Sequence, residues 1–344
     1  HYGDPGVYGG PVITNAIDRI AREGMRFTSY YANAPVCSPT RAALLTGRYP
    51  QEFGFVDSVG YASYRGIPAQ VPTLADLFAD EGYATAQIGK WHLGYRKPEF
   101  LAINRGFEVS VRRKRDAHEP YTRFDLLVNE EPAWHPKGAF LTDVLVDQAI
   151  KFIKQHRGQP FFLSLWLHAA HYPVQIPEDY DNSETGYDLD TPTGRFAALL
   201  THTDRQVRRI SLELDALGLD NTLFIVTSDN GGARRNHNIK GQTLRGFKHD
   251  LYEGGIRVPL VVRWPGRVAA GSVSDRAVIG HDFFPTFVDL LDKSGFDLPG
   301  ESFLAPLLGD LAPKSKRPLF WEVSPRNPDA PWGNDYAVRR GRWK

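Results

Sequence analysis

Short, nearly continuous apolar runs recur along the chain, and most of them follow an amphipathic stretch of helical period. Residues 83–88, 161–167, 222–227 and 256–263 are runs of this kind, each of strand length. A strand that is apolar on both faces must be covered on both faces, which a sheet with one wet side does not require. The intervening stretches supply the cover. Ile13, Ile17, Ile20 and Ala21 fall at helical spacing and stop at Gly24. Pro72 and Thr73 open a second helix, with Leu74, Leu77 and Phe78 as its stripe and Gly82 as its stop. Residues 141–156, 195–217 and 281–291 read as further helices, and the aromatic run 27–31 as β-prone. The alternation predicts an α/β fold with a mainly parallel sheet between helices, whose ligands would sit at the carboxyl ends of strands. Stretches 94–136 and 171–194 are rich in Pro, Asp, Tyr and charge and read as long irregular loops, a length usually tied to function. Within the first, the run Arg112-Arg113-Lys114-Arg115 reads as a solvated loop, with anion holding as the lesser alternative.

Charge excludes one class of partner. The 344 residues carry 41 Lys+Arg against 40 Asp+Glu, a formal charge of +1, so the chain has no electrostatic footprint for nucleic acid and must hold any anion by local groups. No run approaches the ~20 apolar residues of a membrane span. With 42% hydrophobic and 24% charged residues, the composition is that of a soluble globular protein. Cys37 is the single cysteine, so no intramolecular disulfide can form. The chain begins at His1 without a signal-peptide pattern and stops at Lys344 without a closing cap; both ends read as cut, and the compartment stays unknown.

Five segments could carry chemistry. In Cys37-Ser38-Pro39-Thr40-Arg41, Pro39 suits the first turn of a helix, which puts Cys37 at a helix N-terminus, where an anion or an ionised nucleophile is favoured. Arg41, one turn on, reaches what Cys37 reaches; a buried structural cysteine is the equal alternative. Asp229-Asn230-Gly231-Gly232 ends the apolar run 222–227 and offers hard oxygen ligands for Ca²⁺ or Mg²⁺, or else a plain turn. In Gly89-Lys90-Trp91-His92, an extended backbone would point Lys90 and His92 the same way, toward an anion that exchanges a proton. His168 and His171 follow 161–167; Pro173 and the lack of an intervening Glu argue against zinc and leave one His as an acid or a substrate contact. Lys248 precedes the Gly turn Glu253-Gly254-Gly255, where a surface lysine is the plainer reading.

Taken together and in order, these segments resemble the type I sulfatases of the alkaline phosphatase superfamily. Cys37–Arg41 matches the Cys-x-Pro-x-Arg signature and runs on into Ala42-Ala43-Leu44-Leu45-Thr46-Gly47-Arg48. Gly89–Gly94, His171-Tyr172-Pro173, Thr227–Gly231 and Lys248 with residues 253–259 follow, and Pro285-Thr286 and Ala337-Val338-Arg339 look like later landmarks. The resemblance implies an alkaline-phosphatase-like fold, with residues 1–313 as the catalytic domain and 314–344 as the start of a small C-terminal subdomain.

It also implies a sulfuric-ester hydrolase acting on sulfated sugars or aryl sulfates, and the long, polar, aromatic-bearing loops such as 172–187 favour a sulfated carbohydrate. Cys37 would be converted to formylglycine by a maturation enzyme; one oxygen of the hydrated aldehyde would attack sulfur, and the other would let the sulfate leave. Asp229 and Asn230 would hold one divalent cation, calcium in most members. Arg41 would steady the hydrate, Lys90 and Lys248 would neutralise sulfate oxygens, His92 would steady or deprotonate the diol, and His171 would be the general acid. The family's adjacent aspartate pair precedes a turn matched here by His1-Tyr2-Gly3-Asp4, so the pair would lie before residue 1. A periplasmic or extracellular site goes with such substrates. The alternatives are a phosphonate monoester or phosphodiester hydrolase with the same signature, and a non-catalytic binder of sulfated glycans.

Overall fold

A computed structural model describes residues 2–115, 119–233, 244–310, 315–325 and 334–344. The chain starts with α1 (Asn15–Glu23), β1 (Met25–Phe27), β2 (Tyr30–Tyr31), α2 (Cys37–Thr46), α3 (Leu74–Asp80) and β3 (Ala84–Gly89). It continues with β4 (Val109–Arg113), β5 (Leu126–Val128), β6 (Glu131–Ala133), α4 (Leu141–Gln155), β7 (Phe161–Trp166), α5 (Pro192–Ala216) and β8 (Phe224–Thr227). The last third holds α6 (Glu253–Ile256), β9 (Leu260–Arg263), β10 (Ser272–Ser274), β11 (Val278–Ile279), α7 (Phe283–Leu290), α8 (Leu304–Leu307), β12 (Leu319–Val323) and β13 (Asp335–Arg339).

Two mixed sheets form the centre. One has the order β6-β5-β4-β3-β7, the other β10-β1-β9-β8. β3 runs parallel to β4 and β7, while β5 and β6 extend that sheet antiparallel. In the second sheet β1 is parallel to β10, and β9 is antiparallel to both β1 and β8. Among the described residues β7 pairs only with β3, and β8 only with β9.

β7 illustrates why its run is apolar throughout. Side chains alternate along a strand, and here both sets meet a helix layer. Phe161, Leu163 and Leu165 pack with Val146, Ile153, Ile210 and Leu214 of α4 and α5. Phe162 turns the other way, stacking on Phe78 of α3 at 4.5 Å and meeting Phe287 of α7 edge-on at 6.5 Å. α1 is anchored differently. Its first free N–H groups find no cap of their own, and Asp204 of α5 takes them, Oδ2 from Ala16 at 2.9 Å and Oδ1 from Ile17 at 2.8 Å.

Three local expectations need correction. The stretch 94–136 is not all loop, because it contains β4, β5 and β6. Arg112 and Arg113 are not solvated; they lie on β4 at 4% and 3% exposure. Arg112 pairs with Glu130, stacks over Tyr95 at 5.4 Å and donates to the Lys114 carbonyl at 3.0 Å, so partners distant in sequence make its burial tolerable. The run 256–263 divides into the end of α6 and β9.

The expected domain boundary at 313/314 falls in residues 311–314, outside the described residues. Beyond it, β12 and β13 pair antiparallel, and Trp321 packs on Tyr31 at 5.5 Å while its Nε1 donates to the Ala32 carbonyl at 2.8 Å. Arg317 pairs with buried Asp282, next to His281, whose Nδ1 accepts from Asn33 Nδ2 at 2.7 Å. Among the described residues no helix is long and apolar enough to cross a membrane.

Candidate active site

The site is assembled at the start of α2. Val36 is extended (φ −143°, ψ 158°), and Cys37 is the first helical residue, as the Pro39 position predicts. The hydroxyl of Thr40 ties the entry loop down, accepting from the Ala34 N–H and lying 3.1 Å from the Ala34 carbonyl. Cys37 is a free thiol at 2% exposure.

Two ammonium groups converge on it. Lys90 Nζ is 3.3 Å from Cys37 Sγ and Lys248 Nζ is 3.5 Å away. Lys90 is delivered by the end of β3, where its N–H donates to the Trp166 carbonyl at 2.7 Å. Gly89 makes this approach possible: its φ is +105°, and an added Cβ would overlap the Trp166 oxygen. Lys248 is held through backbone bonds, its own N–H to Gly232 O at 2.8 Å and the His249 N–H to Pro35 O at 3.0 Å.

His171 joins the same cluster. Its Nε2 is 3.1 Å from Lys248 Nζ, and its Nδ1 donates to the Tyr172 carbonyl at 2.9 Å. That donation fixes the tautomer, so Nε2 accepts from the ammonium. Burial first, then the charges of Lys248 and Lys90, push its pKa down to about 3. In the resting site His171 is therefore neutral.

Asp229 and Asn230 stand where β8 ends. Arg41 grips Asp229 Oδ2 through Nε at 3.0 Å and Nη2 at 2.7 Å, and its Nη1 donates to the Lys90 carbonyl at 2.8 Å. Burial opposes ionisation of Asp229, but Arg41, Lys90 and Lys248 outweigh it and hold the carboxyl well below the usual range. The Asn230 amide donates to Gly231 O at 2.8 Å, while its Oδ1 is buried without a hydrogen-bond partner. An ionised carboxylate beside an orphaned amide oxygen suits a hard cation, so these two residues fit a share of a divalent-cation site. Among the described residues no group of three or more His, Cys, Asp or Glu is placed to hold a metal. The turn itself depends on close backbone approach. The Gly231 N–H donates to Gly255 O at 2.8 Å, and an added Cβ on Gly231 would overlap Gly254 O.

One predicted placement fails. His92 does not continue an extended segment from Lys90: its φ is +59°, a left-handed conformation, and its N–H donates to the Tyr95 hydroxyl at 2.8 Å. The alternation that would align it with Lys90 ends there. Trp166 went unanticipated; its ring lies 4.8 Å under the Arg41 guanidinium. Tyr121, also missed, donates from its hydroxyl to the His171 carbonyl at 3.0 Å. Nothing local distinguishes either residue from a core aromatic.

The profile of the family described as Sulfatase matches residues 1–293. The chain belongs to the sulfatase family. A second profile, N-sulphoglucosamine sulphohydrolase, C-terminal, matches residues 247–344 of this sulfatase-family chain. It is 34% identical to N-acetylgalactosamine-6-sulfatase of Sus scrofa over 93% of its own length, and 33% identical to arylsulfatase A of Bos taurus over 100%. It spans 66% of the length of the first of these relatives and 72% of the second. Among solved structures, Ps i-CgsB superposes with a TM-score of 0.89 at 27% identity, covering 99% of this chain and 80% of that one. Its complex with k-i-k-neocarrahexaose superposes with 0.86 at 26% identity, covering 98% and 79%. A phosphonate monoester hydrolase of Agrobacterium radiobacter shares the fold, with a TM-score of 0.72 at 20% identity over 99% of this chain and 84% of that one. The expected α/β, alkaline-phosphatase-like class is thereby borne out.

Proposed function

We propose that the whole protein hydrolyses a sulfuric ester of a carbohydrate and releases inorganic sulfate, with Cys37 as the precursor of the nucleophile. The observation that carries this reading is the convergence of Lys90 and Lys248 on the Cys37 sulfur at the start of α2. A structural cysteine has no use for two ammonium groups, whereas a nucleophile that attacks a sulfate does. Oxidation of the thiol to formylglycine by a maturation enzyme supplies, after hydration, the attacking oxygen. A divalent cation at Asp229 and Asn230, calcium by resemblance, supplies Lewis-acid polarisation when bound.

The chain's own residues do the rest. Lys90 and Lys248 meet the sulfate oxygens as charge builds on them. Arg41 fixes the Asp229 carboxylate and, through Lys90 O, the end of β3. His171 is neutral before substrate arrives and accepts from Lys248. A bound sulfate offsets both ammonium charges and raises the imidazole's affinity for a proton, which lets His171 serve the departing oxygen as an acid. His92 would assist the diol from its left-handed position. A sulfated glycan as substrate is supported by the relatives' names and by the k-i-k-neocarrahexaose named with Ps i-CgsB. Such polymers lie outside the cell, which suits a periplasmic or extracellular enzyme.

The test is the mass of tryptic peptide 27–41 from protein matured in its native host, paired with assays of sulfate and phosphate ester turnover. An aldehyde at Cys37 with sulfate release is the expected result. A plain thiol with tight glycan binding and no turnover, or a preference for phosphate diesters, overturns the reading.

A further inference from the structure

Next to His171 opens a cleft of about 640 Å³ that the mechanism above does not use. Tyr172 and Pro173 form one wall, with Thr122, Gln175 and Arg195 around the rest. The wall and the catalytic cluster are one hydrogen-bonded unit. Tyr121 donates its hydroxyl to His171 O and its N–H to Gln175 Oε1 at 2.7 Å. Val174 of the cleft packs with Phe196, which fixes the first turn of α5 and so Arg195.

Arg195 is the unusual member. It is half-buried, and its guanidinium makes no hydrogen bond or ion pair among the described residues, although Asp188 and Asp190 lie in the loop just before it. Several other arginines of intermediate exposure among the described residues are paired, as Arg19 with Glu23 and Asp215, and Arg263 with Asp215, and Arg339, which has no ion pair, at least covers the Tyr31 ring. An unspent planar cation with five donors suits a carboxylate or sulfate arriving from outside. The Gln175 amide adds a polar group, and the exposed Tyr172 ring with Pro173 adds a flat apolar face for a pyranose.

We propose that this cleft binds the leaving-group side of the glycan, and that Arg195 selects substrates carrying a second anionic group, a uronate carboxylate or another sulfate, beyond the ester being cleaved. The inference rests on the sulfatase reading, and Arg195 acts as a specificity residue.

The experiment uses full-length matured protein and three disaccharide probes: a monosulfated neutral one, the same with a uronate, and the same with a second sulfate. Wild type prefers at least one of the dianionic probes, and the probe preferred identifies the anion. Arg195→Ala cuts that preference about 10- to 100-fold, chiefly through KM, in line with loss of one charge-assisted pair. Arg195→Lys restores part of it, which a merely unfolded variant would not. Equal kcat/KM for all three probes in wild type, or a preference that survives in Arg195→Ala, overturns the assignment. Calorimetric binding of the same probes separates the two ideas. If no probe is hydrolysed but Arg195→Ala still weakens dianion binding at least tenfold, the sulfatase reading falls and the anion subsite stands; if binding is unaffected, the subsite falls.

Discussion

The neutral imidazole of His171 is the residue-scale finding with the sharpest consequences. An isolated histidine titrates near 6.5, whereas burial and two lysines bring this one to about 3. Its NMR signals are expected to show no titration between pH 8 and 5 in the substrate-free protein. Lys248→Gln removes the closest charge and should move the midpoint upward; an unchanged midpoint would mean that burial alone sets it. Lys90→Ala and Lys248→Ala in matured protein should each lower kcat about 10²- to 10³-fold, the loss typical of one oxyanion donor, measured as sulfate released from an aryl sulfate. The sequence made Cys37, Arg41, Asp229 and Asn230 legible because a helix start and a strand end dictate where those side chains go. Lys248 offered less, since a lysine before a Gly turn is common, and only the ordered resemblance singled it out. Trp166 and Tyr121 were invisible because their polar service, to Arg41 and to His171, is rendered across the fold.

At the scale of elements, capping crosses from one helix to another. Asp204 serves the start of α1 from the middle of α5, so Asp204→Ala strands two buried N–H groups and should cost about 1–3 kcal/mol in urea unfolding. Phe162→Ala empties the contact between β7, α3 and α7 and should cost about 3–5 kcal/mol. The helices and the apolar strands were readable because burial on two faces leaves a continuous apolar signature. β4 was not. Arg112 is buried by partners from the loop after β3 and from the β5–β6 turn, and Arg113 donates to the Glu119 carbonyl; a charge run carries no sign of such partners. The start of β9 was misplaced too: Ile256 and Val258 are as apolar as strand residues, but Ile256 closes α6 and β9 begins only at Leu260.

For the molecule as a whole, acid is the expected weak direction. His281 is fully buried, and burial together with the Arg317 charge lowers its pKa to about 3. Its folded pKa lies below the unfolded 6.5, so the stability it depends on is complete above pH 6.5 and declines as pH falls toward 3, by up to about 1.4 kcal/mol per pH unit. Urea midpoints measured from pH 7.5 to 5 should fall in wild type and fall less in His281→Gln. The same neighbourhood connects residues far apart in the chain: Asn33 bonds His281, Trp321 bonds Ala32 and Lys248 meets Cys37. These links set an order of events during synthesis. The segment around Cys37 emerges more than two hundred residues before the lysine that helps to enclose it, and nearly three hundred before Trp321. If Cys37 is processed as proposed, the processing enzyme would therefore have a period in which Cys37 is open, and that period would end when the later residues fold over it. Purified folded protein with an unprocessed Cys37 should resist conversion by such an enzyme, while a peptide of residues 27–50 should be converted; equal rates would mean that the folded chain opens locally at α2.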